Sequence, residues 1–274
     1  MTGRIDRRAL FTSGAAAALL SAPGLSAQAG PRHGGRLRIA VPRDGQSLEL
    51  IMRAAVFDTL TEVGADGALR GELATEWRVD ADSRSWEFDL RRDAMFHDGR
   101  HMTAEDVVES LTISRQDLIV TAVSKWTVRI DTDLPLGDLP LILADPALAI
   151  RPAGNLDERI GTGLYHVSSY TDGRGFIGKR CAAHYKDGRA GWFETVEVAV
   201  IPDAAVRAEA LREGYVDVAQ LPEPSGLAAR SDLFLYPDAA RIELAARAGL
   251  ARPRLIGGRL PLDDGRISER WWML

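Results

Sequence analysis

The chain has 274 residues, of which 46% are hydrophobic and 27% charged, with a formal net charge of -5 and a sequence pI of about 5.6. That length and balance suit one or two ordinary cores and exclude a disordered or fibrous class, while the acidic balance offers no basic face for nucleic acid. The single cysteine, Cys181, excludes an intrachain disulfide framework and any multi-cysteine metal site.

At the N-terminus Arg4, Arg7 and Arg8 make a positive region, residues 9–25 are apolar and small, and Ala27-Gln28-Ala29 fits a small-residue cleavage pattern. A signal peptide over 1–29 is expected, with the mature chain starting near Gly30. The run Asp6-Arg7-Arg8-Ala9-Leu10-Phe11 resembles the twin-arginine motif, which implies Tat export to the periplasm. No later apolar run approaches the ~18 residues that span a bilayer, so no membrane insertion of the mature chain is expected.

Gly34–Val41 reads as a strand with Leu37, Ile39 and Val41 on one face, ended by Pro42. A helix follows over Ile51–Leu60, and Gly64–Gly71 is a turn rich in Gly and Asp. Glu72–Trp77 leads into a ribbon with Trp77 and Val79 facing one way, and Asp80–Ser85 turns it back into Trp86–Leu90 as a hairpin. Trp77, Trp86, Phe88 and Phe96 are expected to form core, because large aromatics at alternate strand positions pack inside far more often than they stack on ligands.

His97-Asp98-Gly99 is a tight turn in which glycine is free to take positive φ. Thr103 then N-caps a helix in a capping-box arrangement with Asp106; Glu105 and Asp106 suit the helix dipole, and Val107, Val108 and Leu111 face inward. Lys125–Asp131 alternates Trp126, Val128 and Ile130 as a strand, and the Pro- and Leu-rich Leu134–Pro152 is irregular or short-helical. Phe193–Pro202 is a strand with Val196, Val198 and Val200 on one face. Asp203 caps a helix through Arg212, Gly214 ends it, and Tyr215–Ala219 returns as a strand, a unit that suggests parallel pairing in an α/β sheet. Asp232–Pro237 is followed by an Ala- and Arg-rich stretch, Asp238–Ala251, expected to be helical.

Candidate chemistry is sparse. His97 and His101 stand at a spacing that holds a metal on a helix, but Gly99 puts a turn between them, so no metal site is expected. Cys181 has no nucleophile signature, Glu105-Asp106 reads as capping, and no phosphate-binding glycine loop or Gly-x-Ser-x-Gly elbow occurs. Neither an enzyme nor a cofactor is expected.

Phe96–Leu111, FHDGRHMTAEDVVESL, carries the most specific pattern: an aromatic, an Asp-Gly turn, a short polar stretch and Thr-Ala-Glu-Asp-Val opening a helix. It resembles the segment that marks the periplasmic dipeptide, oligopeptide and nickel-binding proteins of ABC importers, extracellular solute-binding protein family 5. Val56–Trp77 and Gly161–Asp217 resemble two further stretches of that family. The resemblance implies an α/β fold, periplasmic-binding-protein type II-like, with two lobes and most of the large C-terminal lobe missing. It implies a first domain made of 30–50 and 159–235, a small inserted domain over 51–158, a remnant of the deleted lobe at 236–253, and a closing segment at 254–274.

In that frame Gly161-Thr162-Gly163-Leu164-Tyr165 resembles the family's Gly-Thr-Gly-Pro-Tyr hinge, with Leu164 for proline, and its glycines would supply unusual dihedrals. Lys179–Trp192 resembles an Arg-Asn-Pro-x-Tyr-Trp stretch in which Cys181-Ala182 replace Asn-Pro, and the link Pro42–Leu50 is shorter than in relatives. The resemblance assigns a ligand-binding wall to Arg43, Ala219, Gln220 and Leu221. The function it implies is the periplasmic solute-binding component of an ABC importer for peptide-like or chelate solutes, reduced or degenerate. Its partners would be a small solute and the importer permease, and the chain would act as a monomer. The alternative is an accessory protein that docks on another exported protein and no longer captures a solute.

Overall fold

Arg36–Val41, RLRIAV, forms β1 with Leu37, Ile39 and Val41 wholly inside, as the alternation predicts. The computed structural model describes residues 31–64, 67–155, 159–222, 227, 231–237, 242–251 and 271–273; the signal residues Arg7, Arg8, Ala27 and Ala29 lie outside them. Helix α1, Ser47–Val56, starts earlier than the expected Ile51 because Asp44 Oδ1 accepts the N–H groups of Gln46 and Ser47, both at 2.9 Å. Phe57 is extended, with φ -122° and ψ 149°, so the expected continuation to Leu60 does not form. The expected turn at Gly64–Gly71 lies within a short antiparallel hairpin of β2, Thr61–Val63, and β3, Leu69–Gly71.

The smaller of the two main sheets is local in sequence. β4, Ala74–Val79, and β5, Ser85–Leu90, form the predicted hairpin, and Gly99 in the turn beyond takes φ 87°. Helix α2, Ala104–Ser114, opens on the predicted box: the Asp106 carboxylate accepts from the Thr103 N–H at 2.7 Å and hydroxyl at 2.9 Å. β6, Leu118–Ser124, and β7, Thr127–Thr132, complete an antiparallel sheet of order β4-β5-β7-β6. β6 escapes the sequence reading because its outward Ile119 and Val123 are exposed apolar residues, which blurs the alternation with inward Leu118. Trp86, Phe88 and Phe96 are buried with Val107, Leu111 and Ile130, and Trp77 packs against their edge, as expected of a core. Leu139–Ile142, α3, and a 3-10 turn at Pro146–Leu148 make up the short helical region.

The chain then returns to β1. β8, Tyr165–Thr171, and β9, Gly175–Arg180, form a hairpin that extends into β10, Thr195–Val200. Asp203 Oδ1 caps α4, Ala204–Arg212, by accepting from Ala205 N–H at 2.7 Å and Val206 N–H at 3.1 Å, and β11 is Val218–Gln220. β10 and β11 both run parallel to β1, which lies between them. The strand-helix-strand unit is therefore parallel as predicted, with β1 inserted at its centre.

The helical expectation for Asp238–Ala251 is overturned over 242–251; its residues 238–241 lie outside the described ones. β12, Leu233–Pro237, pairs with β13, Ile242–Arg247, and β13 also pairs with β11, giving the seven-stranded order β12-β13-β11-β1-β10-β9-β8. Leu244 and Ala246 enter the core under β1 and Ala245 the cluster on the opposite face, so small residues fit where both faces are covered. Ladder pairing on both sides outweighs the helical propensity of alanine. β14, Leu250–Ala251, pairs with β15, Trp272–Met273, and Trp271 is fully buried in the main core; most of the segment between lies outside the described residues. No described helix is long and apolar enough to cross a membrane.

Two stretches connect the sheets: Phe57–Leu60 outward and residues 150–164 on return. Ile150 N–H bonds the outward stretch at Asp58 O, 2.9 Å away, and Gly163 N–H bonds the end of α1 at Val56 O, 2.8 Å away.

Candidate functional site

In an open α/β sheet the C-terminal ends of parallel strands aim their connecting loops at one rim, where solutes are generally held. Here the loop after β1 and the end of β11 meet at that rim. Asp44 Oδ2 lies 2.5 Å from Ser47 Oγ, and Ser47 Oγ lies 3.0 Å from Gln220 Oε1. One hydroxyl hydrogen cannot serve both acceptors at once, and the shorter of the two contacts is with Asp44. Burial raises the Asp44 pKa, but hydrogen bonds from Ser47 and Gln46 outweigh it and hold the carboxyl below its ordinary range.

Beside this rim is a hollow of about 470 Å³ lined by Arg43, Asp44, Gln46, Glu49, Tyr170 and Asp172, among others. Glu49 accepts from Arg53 Nε at 2.9 Å and from the Tyr170 hydroxyl at 3.4 Å; burial and that carboxylate push the Tyr170 phenol above its usual pKa. Opposite charges and a phenol on one surface can hold a solute carrying both amine and carboxylate groups. Behind the wall, Arg207 is almost fully buried and donates to the carbonyls of Gln220 at 2.7 Å, Ile201 at 2.6 Å and Pro202 at 2.9 Å. Burial lowers its pKa, and the three carbonyls fix the ends of β10 and β11.

Of the four residues expected on the wall, Arg43 is exposed and lines the hollow, and Gln220 is tied to it through Ser47. Ala219 and Leu221 have their side chains in the core with Leu211, Leu233 and Ala245, so they back the wall rather than face it. Sequence reasoning missed Asp44, Glu49, Tyr170, Asp172 and Arg207. Only Asp44, directly before a helix, carried a local signal.

The glycines expected to give the 161–165 segment unusual dihedrals have a different reason. Neither has positive φ; a Cβ on Gly163 would lie 2.5 Å from Ala55 O, and Gly161 abuts Val56 in the same way. Close backbone approach requires glycine at both. The two histidines at metal-ligand spacing separate, His97 toward Gly163 and His101 exposed beside Met95. Cys181 lies 3.7 Å from Gly163 O, and burial pushes its thiol up to about 11, so it is not a thiolate at neutral pH.

A family model described as bacterial extracellular solute-binding proteins, family 5 Middle, matches residues 68–234. Among curated proteins the chain is similar to the probable D,D-dipeptide-binding periplasmic protein DdpA of Escherichia coli K12, 29% identical over 175 residues, covering 55% of this chain and 34% of that one. Among solved structures it is similar to the periplasmic binding protein DppA of Helicobacter pylori in complex with the peptide STSA, with TM-score 0.67 and 19% identity over 74% of this chain and 50% of that one. A nickel ABC transporter structure from Bacillus halodurans gives TM-score 0.63 and 24% identity over 73% of this chain and 46% of that one. The fold is that of type II periplasmic binding proteins, and the chain spans about a third of the curated relative and half of each solved one.

Proposed function

The chain belongs to the bacterial extracellular solute-binding proteins of family 5, and on that footing we propose that it is the binding component of an ABC importer for peptide-like or chelate solutes, in reduced form. The observation that carries this reading is the polar rim at the ends of β1 and β11, where Arg43 and Asp44 line a hollow of about 470 Å³ and Asp44 is linked through Ser47 to Gln220. That volume is within the ~300–1,000 Å³ of small-molecule sites. The named relatives are binding proteins, one for D,D-dipeptides and one solved with a peptide, which supports a peptide-like solute.

Tight capture needs most of the solute's surface buried, and the matching part of this chain spans only about half of each solved relative, which supports a site with chiefly one wall. The expected affinity is micromolar or weaker. Calorimetry against a library of di- to pentapeptides tests it: Gln220→Ala combined with Arg43→Ala should weaken binding further. Nanomolar affinity insensitive to both substitutions refutes the assignment of this rim. No detectable binding moves the function to docking on another exported protein. The proposal includes Tat export to the periplasm, supported by Arg7-Arg8 and Ala27-Gln28-Ala29, action as a monomer, and an importer permease as partner.

A further inference from the structure

The hydroxyl hydrogens at the rim beside the 470 Å³ hollow are used internally, and what the rim offers outward is acceptors. Asp44, exposed, can only accept; it takes the N–H groups of Gln46 and Ser47 and, at 2.5 Å, the Ser47 hydroxyl. Ser47 Oγ then has a lone pair but no hydrogen for the Gln220 amide 3.0 Å away. The amide bonds to it only with its NH2 turned to that oxygen, which releases Gln220 Oε1 to accept from elsewhere. The Tyr170 hydroxyl likewise gives its hydrogen to Glu49 Oε2, at 3.4 Å, and keeps a lone pair. Asp172 stands exposed on the same hollow, in the turn between β8 and β9.

The charges have the same sign. Asp44, Glu49 and Asp172 line the hollow with one arginine, Arg43. Arg53, outside the lining, bonds to Glu49 at 2.9 Å and offsets it, which leaves two carboxylates against Arg43. Arg159, also outside the lining, has its guanidinium 5.4 Å from the centre of the Tyr170 ring, an internal cation drawn to that aromatic face.

On the footing that this hollow binds the solute, we propose that it selects the cationic end of a basic solute, an ammonium or guanidinium group that donates to Asp44, Asp172 and the Tyr170 oxygen, with Gln220 Oε1 as a further acceptor at the rim.

Ammonium and guanidinium groups carry several N–H donors and no acceptor, so they match this surface in both hydrogen bonding and charge. A carboxylate finds Arg43 as the one charged donor of the described lining, with carboxylates around it. The solute class thereby narrows to basic peptides and amines. A chelate whose outer surface is carboxylate meets like charge, and that repulsion discriminates against it.

Calorimetry of the full chain with trilysine, trialanine and triglutamate reads the preference, at about 0.1 M salt, where charges more than ~10 Å apart are largely screened. Trilysine should bind roughly five- to tenfold tighter than trialanine, with triglutamate weakest. Asp172→Asn combined with Glu49→Gln should shrink that ratio to about twofold or less. Glu76→Gln combined with Asp82→Asn, an equal charge change on exposed residues of the smaller sheet, should leave it as in the parent. Equal affinity for the three peptides, tighter binding of triglutamate, or the same loss in both double variants overturns the charge selection and leaves solute capture standing. No binding of any of the three by the parent overturns both. If the first double variant does not fold, Asp172→Asn alone, in its exposed turn, decides: the ratio should narrow, and an unchanged ratio overturns the proposal.

Discussion

Trp86 keeps only 6% of its surface exposed and stacks on Phe88 at 6.2 Å, inside a core closed by Val107 and Leu111 from α2. Truncating it removes large apolar contacts that the sheet cannot refill by collapse. Trp86→Ala is expected to cost about 3–5 kcal/mol, measured by denaturant unfolding; stability within error of the parent would mean that the side chain is exposed in solution and open to a ligand. Gly163 responds to a different force. A methyl group there meets the Ala55 carbonyl at 2.5 Å and the adjacent Val56 backbone, with no flexible side chain to give way. Gly163→Ala should destabilise by roughly 1–3 kcal/mol, as overpacking does, and the loss should vanish if the requirement for glycine is only a turn preference. The contrast shows why glycine was legible here and its reason was not: composition marks the position, but the opposing backbone comes from α1, far away in the chain.

Among the elements, those with a signal inside their own few residues were readable. α2 has Thr103 and Asp106 at box spacing, α4 has Asp203 ahead of it, and β5 alternates Trp86 and Phe88 with Glu87 and Asp89. β13 was misread because its Ala-rich stretch has no strand pattern of its own; its conformation is imposed by β11 and β12, one on each side. The rim behaves likewise. Arg43 and Gln220 could be named through family resemblance, whereas Tyr170 and Asp172 reach the hollow from the β8–β9 hairpin and Glu49 from α1, a convergence no local motif encodes. At the N-terminus the readable element is the arginine pair. Replacing Arg7 and Arg8 by lysine should abolish export while leaving the folding of a chain beginning at Gly30 intact; unchanged periplasmic levels by cell fractionation would remove the Tat assignment.

For the molecule as a whole, β1 is the strand on which the larger sheet depends, and all its partners are made late. Arg36 pairs with Thr195 and Ile39 with Val218, so this strand, the first among the described residues, has neither sheet neighbour until those later segments are made. The smaller sheet has no such delay, since β4, β5, β6 and β7 pair only with one another. Loop closure across so long a separation makes the β1 pairings slow relative to local hairpins. Pulsed hydrogen exchange during refolding should thus protect the amides of Phe88 and Ile130 before those of Ile39 and Val198, and simultaneous protection would refute that order. Until β10 and β11 arrive, the apolar strand Leu-Arg-Ile-Ala-Val stands as an open edge, a template for association with other chains. The nascent protein has a vulnerable interval, lasting from the synthesis of Val41 to that of Gln220, in which a chaperone holding the N-terminal end would raise yield more than any stabilisation of the finished fold.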